Sequence, residues 1–136
     1  NALEAVYSTD RVLAGRKVLI VDDDIRNIFA LTSVLERQNM DVLSAETGKD
    51  AIAKLKSTEG VDIVLMDIMM PDMDGYDTMR AIRKIGKFHD LPIIAVTAKA
   101  MKGDREKTLQ AGAWDYLSKP GDTDQMLSVL RNWLLR

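Results

Sequence analysis

Carboxylates, a hydroxyl and a lysine stand at the ends of apolar runs in this sequence. Asp22, Asp23 and Asp24 follow Val18-Leu19-Ile20-Val21, and Asp67 follows the apolar stretch 61–66. Thr97 closes the stretch 92–97, and Lys119 follows the stretch 113–118. If Asp22, Asp23 and Asp67 converge, each negative charge disfavours ionisation of the others. A divalent cation relieves that repulsion. Mg2+ is a hard ion that takes a few carboxylates and keeps several waters. Lys119 adds a second positive charge, able to hold a phosphate oxygen or pair with a carboxylate. Thr97 adds a hydroxyl donor. Together these groups suit phosphoryl chemistry. A carboxylate can act as the nucleophile and form an aspartyl-phosphate. The metal and the lysine would then neutralise charge on the transferred group.

Such a site exists only if the fold brings the strand ends together. Short apolar runs alternate with helical patterns along the chain. Residues 18–21, 41–45, 61–66, 92–97 and 113–118 read as strands. Between them, Ile25, Ile28, Phe29, Thr32 and Leu35 recur at helical spacing. Ala51, Ile52 and Leu55 mark a short helix, and Tyr76, Met79 and Ile82 a third. Residues 103–111 form a polar helix stopped at Gly112. Met126, Leu127, Leu130, Trp133 and Leu134 form the last. Strict alternation of strand and helix predicts an α/β fold, with a parallel sheet and helices on both faces. Near-continuous apolar strands agree, because a central parallel strand is buried on both sides. For five strands the expected order is 2-1-3-4-5, which sets the first and third strands side by side. Ligands of such sheets bind beyond the carboxyl ends of the strands. Residues 1–14 read as a linker or surface extension, and residues 15–136 as the domain.

Composition narrows the chemistry. The chain has 136 residues, no cysteine and one histidine, His89. Thiolate metal sites, thiol catalysis and disulfides are excluded, and a multi-histidine site cannot be built. The net charge of -2 argues against nucleic acid or an anionic membrane as a partner. No apolar run approaches the roughly 18 residues of a membrane span. The first residue is Asn1, so the chain reads as a piece cut from a longer protein.

With these pieces assembled, the sequence resembles the response-regulator receiver domain over residues 17–135. The resemblance rests on Val18-Leu19-Ile20-Val21-Asp22-Asp23-Asp24, then on Asp67 with Met70-Pro71 and Met73-Asp74-Gly75 behind it. Thr97-Ala98 and Tyr116-Leu117-Ser118-Lys119-Pro120 complete it. Each piece alone is weak; all of them in this order, each at a strand end, are specific. The resemblance implies a flavodoxin-like (βα)5 fold with Asp67 as phosphoacceptor. It implies Asp23 as direct metal ligand, Asp22 as support through water, and the Met69 backbone carbonyl as a further ligand. Thr97 and Lys119 would contact the phosphoryl group, and Tyr116 would change rotamer with Thr97. The Lys119-Pro120 bond is usually cis in this family. The implied cofactor is Mg2+, with Mn2+ as a substitute. The implied partner is a histidine kinase dimerisation/phosphotransfer domain or a histidine phosphotransfer protein, and the domain is expected to be monomeric in isolation.

The stretches 22–31 and 97–104 look most like the receiver of a hybrid sensor histidine kinase. That points to a cytoplasmic place, in the cytoplasmic part of a larger membrane-anchored kinase. Met69 and Lys99, two residues beyond Asp67 and Thr97, stand where family members control the approach of water to the acyl phosphate. Apolar Met69 cannot orient a water, so slow self-dephosphorylation is expected. Gly121 departs from the apolar residue that commonly follows the Lys-Pro pair.

Plainer readings compete at single positions. Asp24 is expected to be an N-cap. Asp72 and Asp74 with Gly75 are expected to form a turn into a helix. Trp114 is expected to be exposed, Trp133 to pack, and His89 to have no role. Two other functions remain open. One is an unphosphorylated docking platform. The other is an aspartyl-phosphate phosphatase, which would need an acid/base carboxylate where Met69 stands.

Overall fold

The computed structural model describes residues 11–98, 103–119 and 121–135. Along it run β1 (Lys17–Val21), α1 (Ile25–Arg37), β2 (Asp41–Ala45), α2 (Gly48–Ser57), β3 (Val61–Asp67) and α3 (Gly75–Arg83). A 3-10 turn (Gly86–Phe88) leads to β4 (Ile93–Thr97), followed by α4 (Asp104–Ala111), β5 (Asp115–Ser118) and α5 (Thr123–Leu134). The five strands pair in parallel in the order β2-β1-β3-β4-β5. Both the expected alternation and the expected order hold.

Side chains alternate across each strand, and the sheet divides the core accordingly. Leu19, Val21, Val64, Met66, Ile93 and Ala95 turn to the face covered by α2, α3 and α4. Val18, Ile20, Ile63, Leu65 and Ile94 turn to the face covered by α1 and α5. The helices answer with Leu55, Met79 and Ile82 on the first face and with Ile28, Leu35, Leu127 and Leu130 on the second. Each such side chain taken out of water contributes roughly 1.5–3 kcal/mol.

Four helices start on oxygen-bearing caps. The side chains of Asp24, Thr47, Asp74 and Asp122 accept from Arg26 N, Asp50 N, Asp77 N and Asp124 N. Such a cap stabilises a helix by about 1 kcal/mol. The expected roles of Asp24 and of the Asp72–Gly75 turn are therefore met. Helix α4 starts instead on Gly103, without a side-chain cap, and buries only Thr108 and Ala111.

Three details differ from the sequence reading. Leu13 is fully buried in the core of the α1/α5 face, so packing begins before residue 15; residues 1–10 lie outside the described residues. Ile25 and Phe29 keep helical spacing but are exposed, while Ile28 and Leu35 carry the buried stripe. Trp114 is only half-buried and stands edge-on to Trp133 with ring centroids 5.4 Å apart. Trp133 packs as expected, and its indole N–H donates to Asp115 Oδ2 at 2.9 Å.

Candidate functional site

Parallel pairing carries the carboxyl ends of all five strands to one edge of the sheet. Because β1 and β3 are neighbours, Asp22 just beyond β1 comes beside Asp67 at the end of β3. Asp22, Asp23 and Asp67 each offer a carboxylate oxygen, and these oxygens all lie within 4.8 Å of one another. Asp22 and Asp67 are buried and Asp23 is exposed, so the cluster has two enclosed walls and one open to solvent.

Neighbouring donors fix each carboxylate. Asp22 accepts from Asp24 N at 2.9 Å, from Asn27 Nδ2 at 2.5 Å and from Lys119 Nζ at 2.6 Å. Lys119 also lies 3.5 Å from Asp67 Oδ1, and Met69 N donates to that oxygen at 3.2 Å. One ammonium therefore serves two acids. It is placed by its own backbone, since Lys119 N donates to Thr97 O at 2.6 Å. Thr97 is buried at the end of β4, in register with Ser118 of β5. Asp67 pairs with Val96, the residue before Thr97. All five strand-end residues read from the sequence thus meet at one edge.

The electrostatics are lopsided. Burial first, then the negative charge of Asp22, push the Asp67 carboxyl up to about 7; Lys119 and the Met69 N–H oppose the rise. Burial and a like charge make the ionised form of Asp67 costly, and a cation beside it would relieve that cost. An all-oxygen set with one open side fits a hard divalent ion that keeps part of its water shell.

Three neighbours escaped the sequence reading. Asn27 holds Asp22, yet an amide in the first turn of a helix reads as surface. Gly75 looked like a turn residue only. A Cβ there would stand 2.5 Å from the Asp67 carbonyl oxygen and 2.7 Å from Ile68 Cα, so its bare backbone permits α3 to press against the end of β3. Gly75→Ala is expected to shift Asp67 and slow its labelling by a small phosphodonor at least tenfold, since about 1 Å of misplacement can cost ~100-fold. An unchanged rate would show that the loop absorbs the methyl group. Arg83 was the third. Its guanidinium gathers backbone carbonyls from both sides of β4.

Tyr116 of β5 lies beside Ala95. Its hydroxyl is buried without a hydrogen-bond partner among the described residues. Lys99 and the Lys119-Pro120 isomer lie outside the described residues.

Residues 18–131 match the response regulator receiver domain family. This chain belongs to that family. The receiver is 39% identical over 114 residues to protein PilH of Pseudomonas aeruginosa, covering 84% of this chain and 93% of PilH. It is 38% identical over 122 residues to the signal transduction histidine-protein kinase BarA of Escherichia coli, covering 90% of this chain but 13% of the kinase. Among solved structures it resembles the receiver domain of sensor histidine kinase PA1611 of P. aeruginosa, which has a magnesium ion coordinated in its active-site cleft. That likeness has a TM-score of 0.82 and 35% identity, covering 90% of this chain and all of the other. It also resembles a Saccharomyces cerevisiae co-crystal of the histidine phosphotransfer protein Ypd1 with the Ssk1 receiver domain, with a TM-score of 0.83, 26% identity and 90% of each chain covered. No described helix of this receiver is long and apolar enough to cross a membrane.

Proposed function

We propose that this receiver accepts a phosphoryl group from a phosphohistidine onto Asp67 and relays the change to a partner. The observation that carries the reading is the placement of Asp67, buried among Asp22, Asp23 and Lys119. In the transfer an Asp67 oxygen bonds to phosphorus as the phosphorus–nitrogen bond to the donor imidazole breaks. The imidazole keeps the electron pair and takes a proton. Asp22, Asp23, Asp67 and the Met69 backbone carbonyl would hold Mg2+, with Mn2+ as a substitute. Once bound, the ion neutralises charge on the phosphoryl oxygens. Lys119, just beyond the carboxyl end of β5, supplies a second positive charge. The Thr97 hydroxyl donates to a phosphoryl oxygen. Tyr116 follows Thr97, and the surface of α4, β5 and α5 shifts its population between two partner-binding states.

The phosphohistidine must come from outside these 136 residues, because their single histidine, His89, lies in the turn before β4. Two features support this. The chain resembles a receiver crystallised with a histidine phosphotransfer protein. Ile25, Phe29 and Met69 stand exposed, Ile25 two residues beyond Asp23 and Met69 two beyond Asp67, apolar side chains suited to a helical partner. The likeness to BarA favours a place within a larger hybrid kinase, on its cytoplasmic side. A phosphatase reading lacks its acid/base carboxylate, since Met69 stands there.

Incubation with acetyl phosphate and Mg2+ is the test. An acid-stable, base-labile adduct of about 80 Da is expected. Rapid phosphate release without an adduct would favour the phosphatase, and neither adduct nor Mg2+ binding would favour a docking platform. The adduct should then persist for minutes or longer, because the side chain of Met69 has nothing with which to orient a water. Complete loss within seconds would contradict this, and Met69→Asn should hasten the decay.

A further inference from the structure

Three donors converge on Asp22. Its Oδ1 accepts from Asp24 N at 2.9 Å, and its Oδ2 accepts from both Asn27 Nδ2 at 2.5 Å and Lys119 Nζ at 2.6 Å. Two of the three belong to the start of α1. Asp24 caps that helix, and Asn27 N donates to Asp24 O at 3.0 Å. The backbone that carries the Asn27 amide is thus fastened to the residue that grips the other oxygen of Asp22. Lys119 comes from beyond β5, 97 residues along the chain from Asp22, on a flexible four-carbon stem. One side-chain donor on Oδ2 is fixed, and the other can move.

The movable donor has a second claimant. Lys119 Nζ lies 3.5 Å from Asp67 Oδ1, beyond the roughly 2.7–2.9 Å of a charge-assisted hydrogen bond. Its ammonium is therefore bonded to Asp22 and only near Asp67. A phosphoryl group on Asp67 brings further negative charge and strong acceptor oxygens, which would draw the ammonium across. Asp22 would then lose one of the two donors on Oδ2. It is only 2% exposed, so bulk water cannot replace the loss, and a buried carboxylate short of donors is costly. The donor left on that oxygen is Asn27. A carboxylate offers about four acceptor sites, so Asp22 held by Asn27 and Asp24 keeps room for a water of the metal shell.

We propose that Asn27 is a positioning residue for phosphoryl transfer, which keeps Asp22 Oδ2 in place while Lys119 turns to the phosphoryl group on Asp67. The hand-over of Lys119 rests on Asp67 being the phosphoacceptor. The grip of Asn27 on Asp22 does not.

Mg2+ titrated into the whole chain, and followed by NMR of the Asp24 and Met69 amides, tests the grip without any phosphodonor. Alanine suits a helix interior, so Asn27→Ala should leave the fold intact. It should weaken Mg2+ binding about threefold in the parent, where Lys119 still holds Oδ2. In a Lys119→Met background the same change should weaken it at least about tenfold, because the two donors share one oxygen and their effects are not additive. Equal effects in the two backgrounds, or none, would overturn the assignment, since a residue that only supports the helix acts alike in both. Asn27→Leu fills the space without a donor and should behave as Asn27→Ala does; it carries the test if Asn27→Ala lowers Tm. Acetyl phosphate labelling at saturating Mg2+ then tests the hand-over, and Asn27→Ala should slow it at least about fivefold. An unchanged rate would overturn the hand-over of Lys119. Failure of the parent to label at all would instead overturn the phosphoacceptor reading, while the Mg2+ cycle still decides whether Asn27 positions Asp22. Absence of Mg2+ binding by the parent would overturn both.

Discussion

Asp67→Asn is expected to abolish the acetyl phosphate adduct and, without Mg2+, to raise thermal stability above neutral pH. The first effect follows because an amide oxygen is too weak a nucleophile to take the phosphoryl group. The second follows from the acidity of Asp67, which burial and Asp22 raise from 3.8 to about 7. Below pH 3.8 the carboxyl is protonated in folded and unfolded chains alike, and it costs nothing. Between 3.8 and about 7 the folded chain holds the extra proton, so stability falls as pH rises. Above about 7 the full cost of a buried, ill-matched charge is present. At ~1.4 kcal/mol per unit that cost cannot exceed about 4 kcal/mol, with the attraction of Lys119 already counted in it, and solvent on the open side screens part of it. A gain of about 2 kcal/mol, or roughly 5–10 °C in Tm, is expected near pH 8. The gain should vanish near pH 4 and shrink when Mg2+ stabilises the parent. Thermal melts at both pH values, with and without Mg2+, decide it. An equal gain at both would show that the charge of Asp67 is not its source.

Arg83→Ala is expected to lower the stability of the domain. Arg83 Nε and Nη2 donate to Gly112 O at 3.0 and 2.6 Å. Nη1 donates to Phe88 O at 2.9 Å, to His89 O at 3.3 Å and to Leu91 O at 2.6 Å. One side chain on α3 thereby fastens the segment leading into β4 to the turn between α4 and β5. That turn relies on Gly112, whose φ of 123° suits glycine alone. A hydrogen bond to a charged group contributes about 1.5–3 kcal/mol, and the freed carbonyls are partly buried. A loss of about 3 kcal/mol is expected in urea unfolding. Lysine should recover only part of it, because a point charge cannot fork between Gly112 and Leu91. A loss below about 1 kcal/mol would mean that water replaces the guanidinium without penalty.

What the sequence disclosed of the site follows from how a parallel sheet is built. Asp22, Asp67, Thr97 and Lys119 each close an apolar run, and parallel pairing sends all such ends to one edge. Residue type and position therefore sufficed. Arg83 could not be found this way, because its partners are backbone carbonyls, which carry no residue identity. Asn27 was hidden because its partner lies outside the helix that bears it. Gly75 was visible as a turn, but the close approach that requires it depends on α3 meeting the end of β3. Helical spacing located α1, yet periodicity alone did not say that Ile28 and Leu35 would be covered and Phe29 left bare. Leu13 was missed for a simpler reason. Val12-Leu13-Ala14 before the first strand is too short a run to show a helix or strand period.

Arg16 Nη2 donates to Leu134 O at 3.3 Å, and Arg16 also lies 3.7 Å from Asp62. Residue 16 leads into β1 and Leu134 ends α5, so the start of the first strand and the end of the last helix are riveted together. That rivet sits at the amino ends of the strands, a full strand length from Asp67. A swing about that point would carry the acidic edge through an arc, like the head of a hammer about its grip.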